Sequence, residues 1–179
     1  CAGVEVHGAI DDLLATAGVP YDVAAIRALR DFWEPHTYTD PDVPELLRQL
    51  RRRDIRVGVL SNTIWPREWH EDVFIRDEVL DLLDGAVYTS EIAHTKPHPE
   101  AFRSAMAAVD VTDPAQCVFV GDRPYDGISG ARAIGMRAVL IPHSEIPISQ
   151  QMPVDVAPDA VIDRLADLLA HVDLWRNAA

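Results

Sequence analysis

Three short polar runs in this sequence bring together residue types that handle anions and cations: Ser61-Asn62-Thr63, His94-Thr95-Lys96-Pro97-His98-Pro99, and Gly121-Asp122-Arg123-Pro124-Tyr125-Asp126. A hydroxyl and neighbouring amides can bind phosphoryl oxygens, a lysine ammonium can neutralise developing negative charge, and two carboxylates four positions apart on one turn can hold a hard cation. Each run also has an ordinary structural reading. Ser61 and Asn62 serve as well to cap the next segment, Lys96 as a solvated surface lysine, and Asp122 and Asp126 as turn and N-cap residues. His94 and His98, with prolines between them and no third ligand, read as loop histidines, and Trp65 and Trp69 as packing aromatics. What favours chemistry is the set. Each run follows a predicted strand, at the sheet edge where loop amides and helix N-termini gather ligands.

The elements that must position these runs are set by hydrophobic spacing. Val6, Ile10, Leu13, Leu14 and Ala17 recur at helical intervals until Gly18 and Pro20 end the run, and Asp22 stands as N-cap before Val23, Ile26, Leu29 and Trp33. Together they predict a helical hairpin. Pro35, Pro41 and Pro44 punctuate the next stretch, and the polar passage 37–42 reads as a linker, placing a boundary near residue 38. Beyond it, residues 39–179 alternate. A helix bearing Leu46, Leu47 and Leu50 leads into Ile55-Arg56-Val57-Gly58-Val59-Leu60, a short run suited to a buried strand. Then come a predicted helix over 77–83, a strand at Ala86-Val87-Tyr88, and a helix from Pro99 with Phe102, Ala105, Met106 and Val109 on one side. A strand at Val118-Phe119-Val120, a helix over 128–134 and a strand at Ala138-Val139-Leu140-Ile141 succeed it. The chain closes with a short strand near Ala160-Val161-Ile162 and a helix through Leu165, Leu168, Leu169 and Val172. Such alternation predicts an α/β, Rossmann-like fold, a parallel sheet flanked by helices.

Composition narrows the partners. Sixteen basic against twenty-nine acidic residues leave a formal charge of −13, which repels nucleic-acid phosphates and anionic membrane surfaces. Neither is expected as a partner. A small phosphorylated molecule can still bind where a divalent cation and a few donors reverse the local potential. The 179 residues, 48% of them hydrophobic, suffice for one proper core. Two cysteines, Cys1 and Cys117, offer neither a disulfide framework nor a thiolate metal site, which fits a reducing cytoplasm. No apolar stretch approaches the roughly 20 residues of a membrane span, and the beginning lacks the order of a secretory signal. A first residue of Cys rather than Met reads as a start inside a longer reading frame.

Three blocks carry a family resemblance: Val57-Gly58-Val59-Leu60-Ser61-Asn62; Lys96-Pro97-His98-Pro99-Glu100-Ala101-Phe102; and Val118-Phe119-Val120-Gly121-Asp122 with Asp126 and Gly130-Ala131-Arg132-Ala133-Ile134-Gly135-Met136. They resemble the second, third and fourth motifs of haloacid-dehalogenase-like hydrolases, over about residues 42 to 170. The resemblance implies a magnesium-dependent phosphatase acting on a small phosphorylated metabolite. Ser61 would bind the transferring phosphoryl group, with weaker help from Asn62, and Lys96 would stabilise its charge. Asp122 would ligate Mg2+, and Asp126 would support the metal directly or through water. Residues 1–38 would then be part of a helical cap, and 39–179 the core.

One part of the family pattern is not found where it is expected. Members begin with a strand ending in Asp-x-Asp, whose first aspartate attacks phosphorus and whose second acts as general acid and base; no such strand precedes the hairpin, and Asp11-Asp12 lies on a helical pattern. The resemblance places that strand in the centre of the sheet, between those ending at Leu60 and Val120. The 179 residues are therefore expected to be an inactive fragment of a larger enzyme, unless strands rearrange to close the gap. Two other functions compete. A 2-haloacid dehalogenase of the same fold needs no cation and has an uncharged residue where this sequence has Asp122. A non-catalytic binding or scaffold protein could have lost its nucleophile, although Ser61, Lys96, Asp122 and Asp126 are all retained.

Overall fold

A computed structural model of the chain describes residues 8–142 and 155–177. The opening pair is helical as its spacing predicts: α1 spans Ile10–Thr16 and α2 Val23–Trp33, while Val6 lies outside the described residues. The Asp22 carboxylate accepts from the amides of Ala24 (2.8 Å) and Ala25 (3.2 Å), two N–H groups that a helix start leaves without intrahelical partners. The pair is tied to the rest of the chain. Arg30 bridges to Asp72 at 2.6 Å and lies over the Trp69 ring, and the Ile10 amide donates to the Ile64 carbonyl.

The predicted linker is also pinned. The Thr39 amide donates to Asp77 (2.8 Å), Tyr38 stacks under the Arg76 guanidinium, and Asp42 pairs with Arg164. Helix α3, Val43–Arg51, then buries Leu46, Leu47 and Leu50 on one face. Strand β1 is Gly58–Ser61, β2 Gly85–Tyr88, β3 Val118–Gly121, β4 Arg137–Leu140 and β5 Ala160–Val161. Between them run α5 (Pro99–Ala108), a wide π-type turn at Pro124–Ser129 and α6 (Gly130–Ala133), and the chain ends in α7, Leu168–Asn177.

One helix falls elsewhere than its spacing predicts. Residues 77–83 form only a single 3-10 turn, Leu80–Leu82, and the true helix, α4, is Arg67–Arg76 just upstream. Pro66 sets its extended entry. Its exit is set by the Asp77 carboxylate, gripped by Arg76, and by Glu78, which takes a left-handed φ of 56°. The apolar spacing at 79, 82 and 83 arises because all three side chains pack into the core, without a helix to carry them.

The larger difference concerns the sheet. All pairings are parallel, but the strands form two sheets rather than one: β1 with β2, and β3-β4-β5. Among the described residues, β1 and β3 each pair along one edge only. Among the described residues, no strand joins them. The two sheets nevertheless share their cores. One hydrophobic cluster, built on Leu46, Leu50, Val139 and Ile162, takes in Val57 before β1 and both Val118 and Val120 of β3. The other, built on Phe102, Met106 and Ile128, takes in Leu60 and Phe119. Alternate residues of each strand thus face opposite layers of helices, as the two-residue period of a strand requires.

Candidate active site

Strands β1 and β3 belong to separate parallel sheets, and the Lys96 ammonium brings their ends to one edge, meeting the Leu60 carbonyl of β1 and lying near the Phe119 ring of β3. Ser61 is the last residue of β1 and stands in register with Tyr88 of β2; Gly121 is the last of β3, opposite Leu140. Asp122 and Asp126 come next, on a turn that curls over the Phe119 side chain. A Cβ at Gly121 would lie 2.7 Å from Phe119 Cε1, and one at Gly127 2.6 Å from the same atom. Glycine at both places lets the carboxylate-bearing turn close tightly on the ring.

Lys96 reaches this edge from the loop between β2 and α5. Its Nζ donates to the Leu60 carbonyl at 2.9 Å and lies 5.3 Å from the centre of the Phe119 ring. Its backbone is held by Asn62, which accepts from the Lys96 N–H at 2.8 Å and donates to the Lys96 C=O at 3.0 Å. Burial pushes the ammonium below the ordinary lysine value, and Asp126 and Asp122 pull it back up. The Asp126 carboxyl is pushed up, first by burial and also by Asp122, against the attraction of Lys96 and Arg123. Both partners of the Lys96–Asp126 pair therefore shift towards neutrality: loss of water outweighs their mutual attraction. Arg123 Nε approaches Asp122 to 3.9 Å at the rim.

The structure thus brings Lys96 together with Asp122 and Asp126, and sets Ser61 directly after the carbonyl that receives the lysine. Asn62 is beside them, though its carboxamide is engaged with the Lys96 backbone. His94 and His98 stack on each other 3.8 Å apart, and His98 Nδ1 accepts from Glu100 N as the cap of α5. Trp65 and Trp69 stack at 4.9 Å beneath α2. Asp40-Pro41-Asp42, which has the letters of Asp-x-Asp, is a helix-entry turn: the Asp40 carboxylate accepts from the Asp42 amide, and Asp42 is taken by Arg164. A separate cleft of about 280 Å³ opens between α1 and the start of α4, lined by Ala9, Ile10, Asp11, Tyr21 and Pro66. None of the five predicted site residues lines it. Sequence reading missed Phe119 as the floor of the site. The signal was available in the glycines on either side of the Asp122–Asp126 turn.

A family model for haloacid dehalogenase-like hydrolases matches residues 5–135. The chain belongs to that family. Among curated relatives, it is 31% identical over 146 residues to a glyceraldehyde 3-phosphate phosphatase of Methanopyrus kandleri, covering 82% of this chain and 61% of the relative. Among solved structures, a 2-haloacid dehalogenase from Pseudomonas syringae is 28% identical with a TM-score of 0.61, covering 75% of this chain and 53% of that one. A phosphatase of the family from Thermococcus onnurineus shares the fold at a TM-score of 0.67 and 19% identity, covering 91% of this chain and 70% of its own. The chain spans between about half and three fifths of the length of these curated relatives. Among the described residues, no helix is long and apolar enough to cross a membrane.

Do the site residues of this hydrolase-family chain fit a divalent cation? Among the described residues no three of His, Cys, Asp and Glu group as a metal cage. Mg2+ asks for less: it keeps several waters and binds through one or two carboxylates. Asp122 and Asp126 are hard oxygen donors, and Asp122 lies near enough to disfavour the charge on Asp126, a repulsion that a dication relieves. They fit.

Proposed function

We propose that this chain carries the phosphoryl-handling edge of a phosphoric monoester hydrolase that acts on a small phosphorylated metabolite. The observation that supports this is the convergence of a lysine ammonium on two carboxylates where β1 and β3 end. Ser61 would donate its hydroxyl to a phosphoryl oxygen. Lys96, short of water and fixed over Phe119, would offset the charge gathering on the transferring group, where low dielectric strengthens its effect. Asp122 and Asp126 would hold Mg2+, whose contribution when bound is to neutralise phosphoryl oxygens. The acidic surface then matters little, because ammonium and cation set the local sign. In this reading the attacking carboxylate, which forms an aspartyl-phosphate, comes from outside the 179 residues, and the 179-residue chain alone is inactive.

The test is hydrolysis of p-nitrophenyl phosphate with Mg2+. The protein expressed from its full reading frame should turn it over, and Lys96→Ala and Asp122→Ala should each lower kcat by about 100-fold or more. The 179 residues alone should show no turnover; robust hydrolysis by them would overturn the assignment of the nucleophile. The other reading, supported by the likeness to a dehalogenase structure, is dehalogenation of a 2-haloacid. Chloride release from 2-chloropropionate without a divalent cation, unaffected by Asp122→Ala, would establish it instead. Asp122 favours the phosphatase, since attack on carbon gives a metal-binding carboxylate nothing to do.

A further inference from the structure

We propose that Asn62 is a positioning residue, whose carboxamide fixes the backbone of Lys96 and thereby the reach of its ammonium, in place of contacting the phosphoryl group. The inference rests on the phosphatase reading of this edge. Asn62 follows β1, Lys96 follows β2 at a distance of 34 residues in the chain, and their union closes a ring of two hydrogen bonds: Lys96 N–H to Oδ1 at 2.8 Å and Nδ2 to Lys96 C=O at 3.0 Å. One face of the amide meets a donor and the other an acceptor. That fixes which atom is oxygen, because the flipped amide would set donor against donor and acceptor against acceptor.

Two further contacts show what the clamp controls. Lys96 Nζ is anchored on the Leu60 carbonyl, two residues before Asn62, so the backbone and the tip of the lysine are both fastened to the end of β1. Pro97, the next residue, packs against the helix that follows Asp126: a Cβ on Gly130 would come within 3.1 Å of Pro97 Cα. The loop is thus held from the β1 side by Asn62 and from the β3 side by Gly130. Without the clamp, a long flexible side chain would be rooted in a loop fastened on one side only, and a catalytic charge displaced by about 1 Å loses much of its effect. Both polar ends of the carboxamide are already used, which leaves phosphoryl contact to Ser61, Lys96 and backbone amides.

Asn62→Ala removes both bonds. In the protein expressed from its full reading frame, we expect kcat for p-nitrophenyl phosphate to fall about ten-fold, with KM and the inhibition constant of inorganic phosphate moving less than about two-fold. Asn62→Asp should fall between, since it keeps the acceptor for the Lys96 N–H but sets an oxygen against the Lys96 carbonyl. Hydrogen exchange at the Lys96 amide should quicken in Asn62→Ala and less so in Asn62→Asp. A rise of about ten-fold in the phosphate constant at unchanged kcat would show that Asn62 is a ligand and overturn the proposal, as would unaltered exchange at Lys96. If the unsubstituted protein hydrolyses no phosphate ester, the phosphatase reading fails, while the exchange measurement still decides whether the clamp exists.

Discussion

Strands β1 and β3 differ from β2 and β4 in a way their sequences do not announce. All four are short and largely apolar, yet Ala138 and Val139 of β4 and Tyr88 of β2 are fully buried, whereas β1 and β3 are at best half-buried along their whole length. In a parallel sheet covered by helices the innermost strands are normally the most buried. Strand β4, between β3 and β5, follows that rule, and it is the two less buried strands, β1 and β3, each paired on one side only among the described residues, that end in Ser61 and in Gly121-Asp122. Fold and proposed site therefore rest on different strands: β2, β4 and the helices over them supply cohesion, and β1 and β3 carry the residues proposed to handle phosphate.

The most severe way to break that division is to remove what bolts the halves together. Helix α5 packs on both β1 and β2, and its Phe102, 1% exposed, meets Phe119 of β3 edge to face at 5.4 Å. Phe102→Ala should cost about 3–5 kcal/mol of unfolding free energy in urea; a loss under about 1 kcal/mol would mean that something other than α5 joins the sheets. A smaller effect tests cohesion within one half. Gly85 and Gly58 face each other in register beneath α5. A Cβ on Gly85 would lie 2.3 Å from the Ala108 carbonyl oxygen, which is backbone, whereas one on Gly58 would meet the Val109 Cγ1 at 2.8 Å, the end of a side chain that can turn. Gly85→Ala should thus cost about 1–3 kcal/mol, and Gly58→Ala distinctly less, in paired thermal melts.

The contrast also shows what a sequence can and cannot reveal. The strands, their parallel sense and the placement of the polar runs beyond them were legible, because a period of two and short apolar runs depend on local spacing. So was α2, whose Asp22 cap is a local device. The misplaced helix at 77–83 was not, since Val79, Leu82 and Leu83 satisfy a helical pattern by meeting a core that only the folded chain supplies. The division into two sheets was foreseen only as an outcome the chain would have to avoid or accept. At the site, the meeting of Lys96 with Asp122 and Asp126 followed from topology, but the grip of Asn62 on Lys96 did not. Two side-chain atoms closing on a backbone 34 residues away leave no periodic trace.

The finest test asks whether the β1–β2 half can be loosened by itself. The end of its strands is secured by a partly buried network: His70 stacks on Tyr88 with ring centres 4.6 Å apart, its Nε2 lies 2.9 Å from Thr63 Oγ1, and Thr89 Oγ1 accepts from Thr63 N at 2.9 Å. Burial pushes the His70 imidazole below its ordinary value, against the pull of Glu91. A histidine with a depressed folded pKa stays neutral in the native chain while the unfolded chain takes up a proton. Its contribution is complete above the unfolded value of about 6.5 and is lost as pH falls from there through the folded value. Asp77, held far below the usual carboxylate range by Arg76, contributes in the same sense but is lost only in stronger acid, outside this window. The urea midpoint should therefore decline between about pH 7.5 and about pH 5.5, and His70→Gln should flatten that slope. Amide exchange should quicken at Ser61 and Tyr88 before Phe119 and Val139. Equal quickening in both sheets would show that the halves open as one unit, and that the lower burial of β1 and β3 does not divide the molecule energetically.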